Sequence, residues 1–256
     1  MPSTADGQCQ ILIMTATITP KADVRSLGRK DPALRLKDYE DGFRFYGQAV
    51  GKGIDRIVFV ENSLSNLSTL QDIAKELNIE ERVEFISFAG LDYPQMYGRG
   101  YGELFLLDHA MRESRFVRDY ASSAIIWKVT GRYIVSNIAK LIEDRPKAFE
   151  FYCNMRNWPK RVVDMYLMAW TVAGYEKYLK NKCEIYQVSS AAAFPEKALR
   201  EEFDQSRMNA GFVQRFRRVP VVSGIRGLDN KGYSTDNAWK LYIRIALHYA
   251  CPQLWI

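Results

Sequence analysis

Residues 122–137 read Ser122-Ser123-Ala124-Ile125-Ile126-Trp127-Lys128-Val129-Thr130-Gly131-Arg132-Tyr133-Ile134-Val135-Ser136-Asn137. The short apolar run 124–127 has the length and composition of a buried strand. It passes directly into Lys128, Thr130, Gly131 and Arg132, which are poor core residues. In open α/β sheets, ligands settle outside the carboxyl ends of the strands. A strand that carries a lysine, a threonine, a glycine and an arginine to that edge looks built to hold an anion. The same four residues also suit a glycine turn with solvated charges, so both readings stand at this point.

Working outward, the cadence around this stretch is regular. Residues 11–17 form an apolar, then threonine-rich strand that Pro20 stops. A polar loop follows over 21–33. Leu36, Tyr39, Phe43, Tyr46 and Val50 recur at helical spacing and predict an amphipathic helix over 34–50. Gly51-Lys52-Gly53 ends it. A second strand, 57–60, runs into Glu61-Asn62-Ser63, and a helix over 67–77 has Ser65 or Asn66 as its cap. A third strand at 83–88, a Gly- and Tyr-rich loop over 89–102 and a helix over 104–114 lead back to the opening stretch. Strands alternating with helices in this way predict βαβ units and a mainly parallel central sheet flanked by helices, an α/β fold.

Beyond 141 the pattern is mixed. Strands are expected at 149–153, 185–188 and 215–222, and helices at 160–179, 196–207 and 238–249. No internal repeat or low-complexity linker breaks the chain, so one continuous domain over 1–256 is expected.

Composition narrows the function classes. At 256 residues with 47% apolar and 26% charged side chains, the chain can bury a core and is not wholesale disordered. A formal charge of +6 suits partners that carry phosphate, or an anionic membrane surface. It does not single out nucleic acid: no block of five or more like charges, zinc-finger pattern or basic zipper is present. Cys9, Cys153, Cys183 and Cys251 are widely spaced, and the only histidines are His109 and His248, which argues against a Cys/His zinc site. Free thiols in a reducing cytoplasm are the simplest account. Residues 1–10 show no secretory pattern, and no run approaches the ~20 apolar residues a membrane span needs.

Three common catalytic frameworks are missing. The first strand is followed by Thr-Ala-Thr-Ile-Thr-Pro rather than G-x-G-x-x-G, and neither a G-x-x-x-x-G-K-[ST] loop nor a G-x-S-x-G elbow occurs. These absences argue against a dehydrogenase, a P-loop NTPase and an α/β-hydrolase.

The residues that remain resemble a GT-A-type nucleotide-sugar glycosyltransferase with a Rossmann-type sheet. The likeness is greatest to small bacterial or viral enzymes that build capsule, O-antigen and other surface glycans. It is carried by the strand ending in Thr15 and Thr17, by the strand ending in Glu61-Asn62, by Gly98-Arg99-Gly100-Tyr101-Gly102-Glu103, and by Trp127-Lys128-Val129-Thr130-Gly131-Arg132-Tyr133. It covers roughly residues 9–180. It implies a nucleotide-sugar-binding half over about 9–141 and an acceptor-side half over about 142–256. It also implies a UDP- or GDP-sugar donor and a glycan or glycolipid acceptor, with no nucleic acid and at most peripheral membrane contact.

One departure matters. GT-A enzymes usually carry an Asp-x-Asp motif after the fourth strand to hold a divalent metal, and here the place reads Thr130-Gly131-Arg132. No cofactor is therefore expected, although manganese elsewhere in the cleft stays open. Lys128, Arg132 and Arg99 are the candidates for neutralising the leaving diphosphate, because a guanidinium fork matches phosphate oxygens. Gly131, with Gly98, Gly100 and Gly102, would let backbone approach the ligand. The resemblance puts the nucleotide base and ribose near Thr15, Thr17, Glu61 and Asn62. For a general base at the acceptor hydroxyl, Asp164, at an expected helix start, comes first and Glu103, at a helix entry, second. The histidines are expected to be packing or surface residues. Arg215, Arg217 and Arg218 read as a charged edge or a phosphate contact, and the last helix as a core-docked element or a membrane-facing one. A sugar nucleotidyltransferase and a non-enzymatic nucleic-acid-binding protein are the competing functions.

Overall fold

The computed structural model describes residues 7–22, 27–188, 193–206, 209–227, 229–232 and 238–254. In chain order these form β1 (Cys9–Ala16), α1 (Pro32–Gly47), β2 (Arg56–Glu61), α2 (Ser68–Glu76), β3 (Val83–Ser87), α3 (Gly98–Glu113), α4 (Arg115–Asp119), β4 (Ala124–Thr130), β5 (Ile134–Val135), α5 (Ile138–Glu143), β6 (Phe151–Arg156), β7 (Val162–Thr171), α6 (Val172–Tyr178), α7 (Pro195–Gln205), β8 (Phe212–Val213), β9 (Val222–Ser223) and α8 (Ala238–Ala250).

Seven strands make one sheet in the order β3-β2-β1-β4-β7-β6-β8, and β5 pairs with β9 apart from it. β1 runs parallel to β2 and β4, and β2 to β3. Only β7 opposes the rest: it is antiparallel to both β4 and β6, while β8 rejoins parallel to β6. The chain winds from β1 out to β3 and then crosses to β4 on the other side of β1. That reversal of winding opens a crevice at the carboxyl ends of β1 and β4, where α/β sheets bind ligands.

The central strands are mostly apolar because helices cover both faces, the exceptions including Gln10, Lys128 and Asp164. Alternation divides them: Leu12 and Met14 of β1 pack with Tyr39, Phe43 and Tyr46 of α1, whereas Ile11 and Ile13 pack with Leu104 and Leu107 of α3. α1 starts at Pro32, two residues before the periodicity suggests. Asp31 caps it by accepting from Ala33 N at 2.8 Å and Leu34 N at 3.2 Å, and proline at the first position needs no amide partner. At α2 the cap residue is Leu67; Asn66 still contributes, its Oδ1 accepting from Ser68 N at 2.8 Å.

α1 lines the crevice with Arg35 and Tyr39 and packs against its floor at Gly42. A Cβ on Gly42 would lie 2.3 Å from the carbonyl oxygen of Gly131. Gly42→Ala is therefore expected to cost about 2 kcal/mol through overpacking, despite the better helix propensity of alanine. This corresponds to a drop of roughly 4–8 °C in unfolding midpoint. A midpoint at or above wild type in a thermal scan would show that α1 can give way there.

Four elements differ from the sequence reading. Residues expected as one helix over 160–179 are β7 followed by the short α6. The expected strand at 185–188 lies largely in a 3-10 segment, Lys182–Gln187. The stretch 215–221 lies outside the strands, with β8 before it and β9 starting at Val222. α3 begins at Gly98 inside the expected loop, so Glu103 is its sixth residue rather than its entry. The expected helix 196–207 matches α7 up to Gln205, and Arg207 is outside the described residues.

Candidate functional site

A cleft of about 440 Å³ opens at the carboxyl edge between β1 and β4. Each wall comes from a different element. β1 and the turn after it supply Thr15 and Thr17, and β4 with its following turn supplies Thr130 and Arg132. α3 supplies Arg99, Gly100, Gly102 and Glu103. β6 ends there with Arg156, and β7 begins there with Asp164, Met165 and Tyr166. The reversed direction of β7 is what brings its first residues to the same edge as the last residues of β4: Val129 pairs with Leu167, and Ile125 with Thr171.

The floor is a charged knot. Lys128 is fully buried, and its ammonium pairs with Glu103 while donating to Met165 O and, at 3.2 Å, to Thr130 Oγ1. Glu103 Oε1 also accepts from Thr15 Oγ1 at 2.8 Å and Thr130 Oγ1 at 3.3 Å. Burial alone would raise the Glu103 pKa. The Lys128 charge and the hydrogen bonds from Lys128 and Thr15 outweigh it and hold the carboxyl below its usual range. Lys128 is therefore the floor of the cleft rather than part of its exposed lining.

Above this knot two guanidinium groups are buried without a carboxylate. Arg35 and Arg132 are 4% and 8% exposed, and among the described residues neither has a carboxylate within ion-pair distance. Arg35 donates through Nε to Thr17 O at 2.7 Å and through Nη1 to Arg29 O at 3.0 Å. Burial pushes its pKa below the usual arginine range. Arg132 donates through Nη1 to Ile225 O at 2.8 Å and lies over the Tyr133 ring, 5.3 Å from its centroid; its Nε has no partner. Arg99, half-buried on the first turn of α3, also lines the cleft with no partner among the described residues. Among the described residues, seven basic side chains and three carboxylates line the cleft. Buried charge left uncompensated is costly, so such a site gains by taking in an anion.

The remaining candidates divide. Asn62 lines the cleft and its Oδ1 accepts from Thr17 Oγ1 at 2.7 Å. Glu61 is fully buried outside the lining; its carboxylate accepts from Ser63 N at 2.9 Å, Ile18 N at 3.1 Å and Ser65 N at 3.1 Å, so it knits the turns after β1 and β2. Gly131 closes the floor, its N–H donating to Thr15 O at 2.9 Å. Gly100 and Gly102 make room for protein: a Cβ would meet Pro195 at 2.6 Å in one case and the Tyr93 hydroxyl at 2.3 Å in the other.

Asp164 lies inside β7, not at a helix start, and both of its oxygens are engaged. Oδ1 pairs with Arg156 at 2.8 Å; Oδ2 accepts from Asn154 Nδ2 at 2.8 Å and pairs with Arg244 at 3.3 Å. His109 stacks on Phe88 at 3.6 Å, and neither histidine lines the cleft.

Sequence reasoning missed Arg35, Arg156, Tyr93 and Tyr166. Arg35 had a readable signal: it falls one turn before Tyr39 on the stripe that continues through Phe43 and Tyr46, and a cation on a buried stripe marks a site. Arg156 ends an apolar strand, much as Lys128 stands near the end of β4. The place of the Asp-x-Asp motif, Thr130-Gly131-Arg132, does not fit a divalent cation, because a guanidinium and the nearby Lys128 ammonium occupy it. Among the described residues no group of three or more His, Cys, Asp or Glu is placed to hold a metal ion.

The sequence matches no protein-family model, and it matches no curated protein. Solved structures similar at low identity include the following three. A candidate nucleotide-diphospho-sugar transferase from Desulfovibrio desulfuricans G20 is 11% identical with a TM-score of 0.47, over 84% of this chain and 80% of that one. A 4-diphosphocytidyl-2C-methyl-D-erythritol synthase is 10% identical with a TM-score of 0.41, over 94% and 98%. A cytidylyltransferase from Leptospira borgpetersenii serovar Hardjo-bovis is 14% identical with a TM-score of 0.42, over 94% and 87%.

Proposed function

We propose that the cleft binds the diphosphate of a nucleotide sugar and that the protein is a glycosyltransferase acting on a glycan or glycolipid acceptor. The observation that carries this reading is the pair of buried guanidinium groups, Arg35 and Arg132, facing a cleft at the sheet's switch point with no carboxylate in direct ion-pair contact among the described residues, Asp38 and Glu103 acting on them only at longer range. In sugar transfer, negative charge grows on the departing nucleoside diphosphate. Cations already in place, in a site partly shielded from water, stabilise that charge without reorganising. Arg132 and Arg99 take this role, with Arg35 holding the turn after β1 against the same charge. Thr15, Thr17 and Asn62 lie on the side of β1 and β2, where the base and ribose would rest. The acceptor proton goes to a carboxylate on the opposite wall. Asp164 is the candidate there: Arg156 and Arg244 fix its orientation. Glu103, committed to Lys128, keeps the floor.

The reading is tested by calorimetric titration with UDP, GDP and CDP, followed by hydrolysis assays with the corresponding nucleotide sugars. Binding of at least one nucleoside diphosphate, weakened by salt, and slow release of free sugar are the expected results. No binding across the panel would sink it. Release of pyrophosphate from a nucleoside triphosphate and a sugar phosphate would assign the cleft to nucleotidyl transfer instead. Activity that disappears with a chelator and returns with manganese would overturn the role given to Arg132. Asp164→Asn is expected to lower kcat by ~100-fold with donor affinity unchanged, the signature of a lost proton acceptor.

A further inference from the structure

The last helix is turned inside out. Two of its polar residues face the protein: Arg244 reaches Asp164, and the buried His248 places Nε2 3.2 Å from Arg217 O. The Arg215 guanidinium donates to the His248 carbonyl from the same side. Its aromatic residues face away. Trp239, Tyr242, Ile243 and Tyr249 fall on one stripe of α8, and all four are exposed, Tyr242 to 71%. Leu254, in the 3-10 turn after the helix, is exposed as well.

The charge on the helix itself has one sign, and Asp144, a carboxylate beyond it, is paired with Arg218. Residues 238–254 contain no aspartate or glutamate. Lys240 is exposed with its ammonium 5.5 Å from the Trp239 ring centroid, and Arg217 is exposed beside the buried His248. The chain as a whole carries +6. The stripe cannot be satisfied by rotating it onto the core, because Arg244 and His248 already hold the inward face. Trp and Tyr rings favour the headgroup level of a bilayer, and lysine and arginine beside them are drawn to acidic lipids.

We propose that α8 docks in the plane of an anionic lipid surface, with Trp239, Tyr242, Ile243 and Tyr249 entering the headgroup region and Lys240 and Arg217 meeting the acidic lipids. The helix lies on the surface rather than through it. At 13 residues it is too short to span, and among the described residues no helix is long and apolar enough to cross a membrane. The Arg244–Asp164 pair ties the docked helix to a residue that lines the cleft, so the cleft wall sits one ion pair from the lipid-facing element. The inference stands whether or not the cleft takes a nucleotide sugar.

The test is co-sedimentation of the full chain with vesicles of phosphatidylcholine alone and of phosphatidylcholine with about one-third phosphatidylglycerol. Binding to the second kind only, lost at ~0.5 M salt, is the expected result. Combining Trp239→Ser, Tyr242→Ser and Tyr249→Ser should weaken it at least ~10-fold, because the rings carry the apolar part of the binding. The unfolding midpoint of that variant should stay at the wild-type value, and Lys240→Glu alone should also weaken binding. No sedimentation with acidic vesicles, equal sedimentation with neutral ones, or an unchanged triple variant would each overturn the proposal. So would a concentration-dependent dimer that the triple variant abolishes in the absence of vesicle binding, since the stripe would then belong to a second copy of the chain.

Discussion

Glu103→Gln is expected to lower the unfolding midpoint by roughly 10 °C. The substitution keeps the shape of the side chain and removes its charge, leaving the fully buried Lys128 ammonium without a counter-ion. Breaking a buried pair from one side costs about 3 kcal/mol or more, and each kcal/mol is worth roughly 2–4 °C in a chain of this size. Lys128→Met should cost less, because Glu103 is 26% exposed to the cleft and keeps its bonds from Thr15 and Thr130. The double variant should be more stable than the sum of the two losses predicts, since neither charge is stranded.

The pair also sets an acid limit. The Glu103 carboxyl is held below its ordinary value of 4.5, because the Lys128 charge and the hydrogen bonds outweigh the penalty of burial. A depressed carboxyl contributes stability that is complete above its unfolded value and is lost as the pH falls through the folded one. The gap in midpoint between wild type and Glu103→Gln should therefore be widest above about pH 5 and shrink steadily below it. A gap that stays constant down to pH ~3 would mean that the pair contributes nothing through its charge.

On the proposed reading, Arg132→Met is expected to weaken nucleoside diphosphate binding by ~100-fold, because a buried guanidinium lining the cleft would be a charge-assisted donor to phosphate in a poorly hydrated site. Arg132→Lys should recover part of the loss: it restores the charge but not the fork. The Arg132 side chain also holds Ile225 O, so a fall of a few degrees in midpoint is expected alongside. Affinity, not stability, separates the two roles. If the methionine variant bound UDP and GDP as tightly as wild type, Arg132 would be a strut for the 222–227 segment and nothing more.

Much of this site was readable in one dimension. The run ending in Lys128, Thr130, Gly131 and Arg132 showed that a buried strand delivers cations to an edge, and the alternation of strands and helices up to 141 showed which edge. What escaped was direction and partnership. The segment 162–170, Val-Val-Asp-Met-Tyr-Leu-Met-Ala-Trp, is buried on both faces, so it carries no period of two. Its Leu, Met and Ala are good helix formers, which is how a central strand comes to look helical. That misreading moved Asp164 onto a helix and hid its ties to Arg156 and Arg244, both contacts between residues with no local pattern in common. The inward cation of α1 was legible in principle, since Arg35 breaks an otherwise apolar stripe.

Lys128 belongs to the first half of the chain, and Met165 O, which accepts from it, belongs to the second. The ammonium is thus a shared fixture: cut the polypeptide near residue 141 and the amino-terminal piece keeps a cation whose lid has gone with the other piece. Exchanging the later half for one from another protein will keep this contact only if the incoming strand presents a main-chain oxygen at that same spot. The practical unit for engineering here is the whole sheet, with changes placed in the loops at its carboxyl edge rather than in exchanged halves.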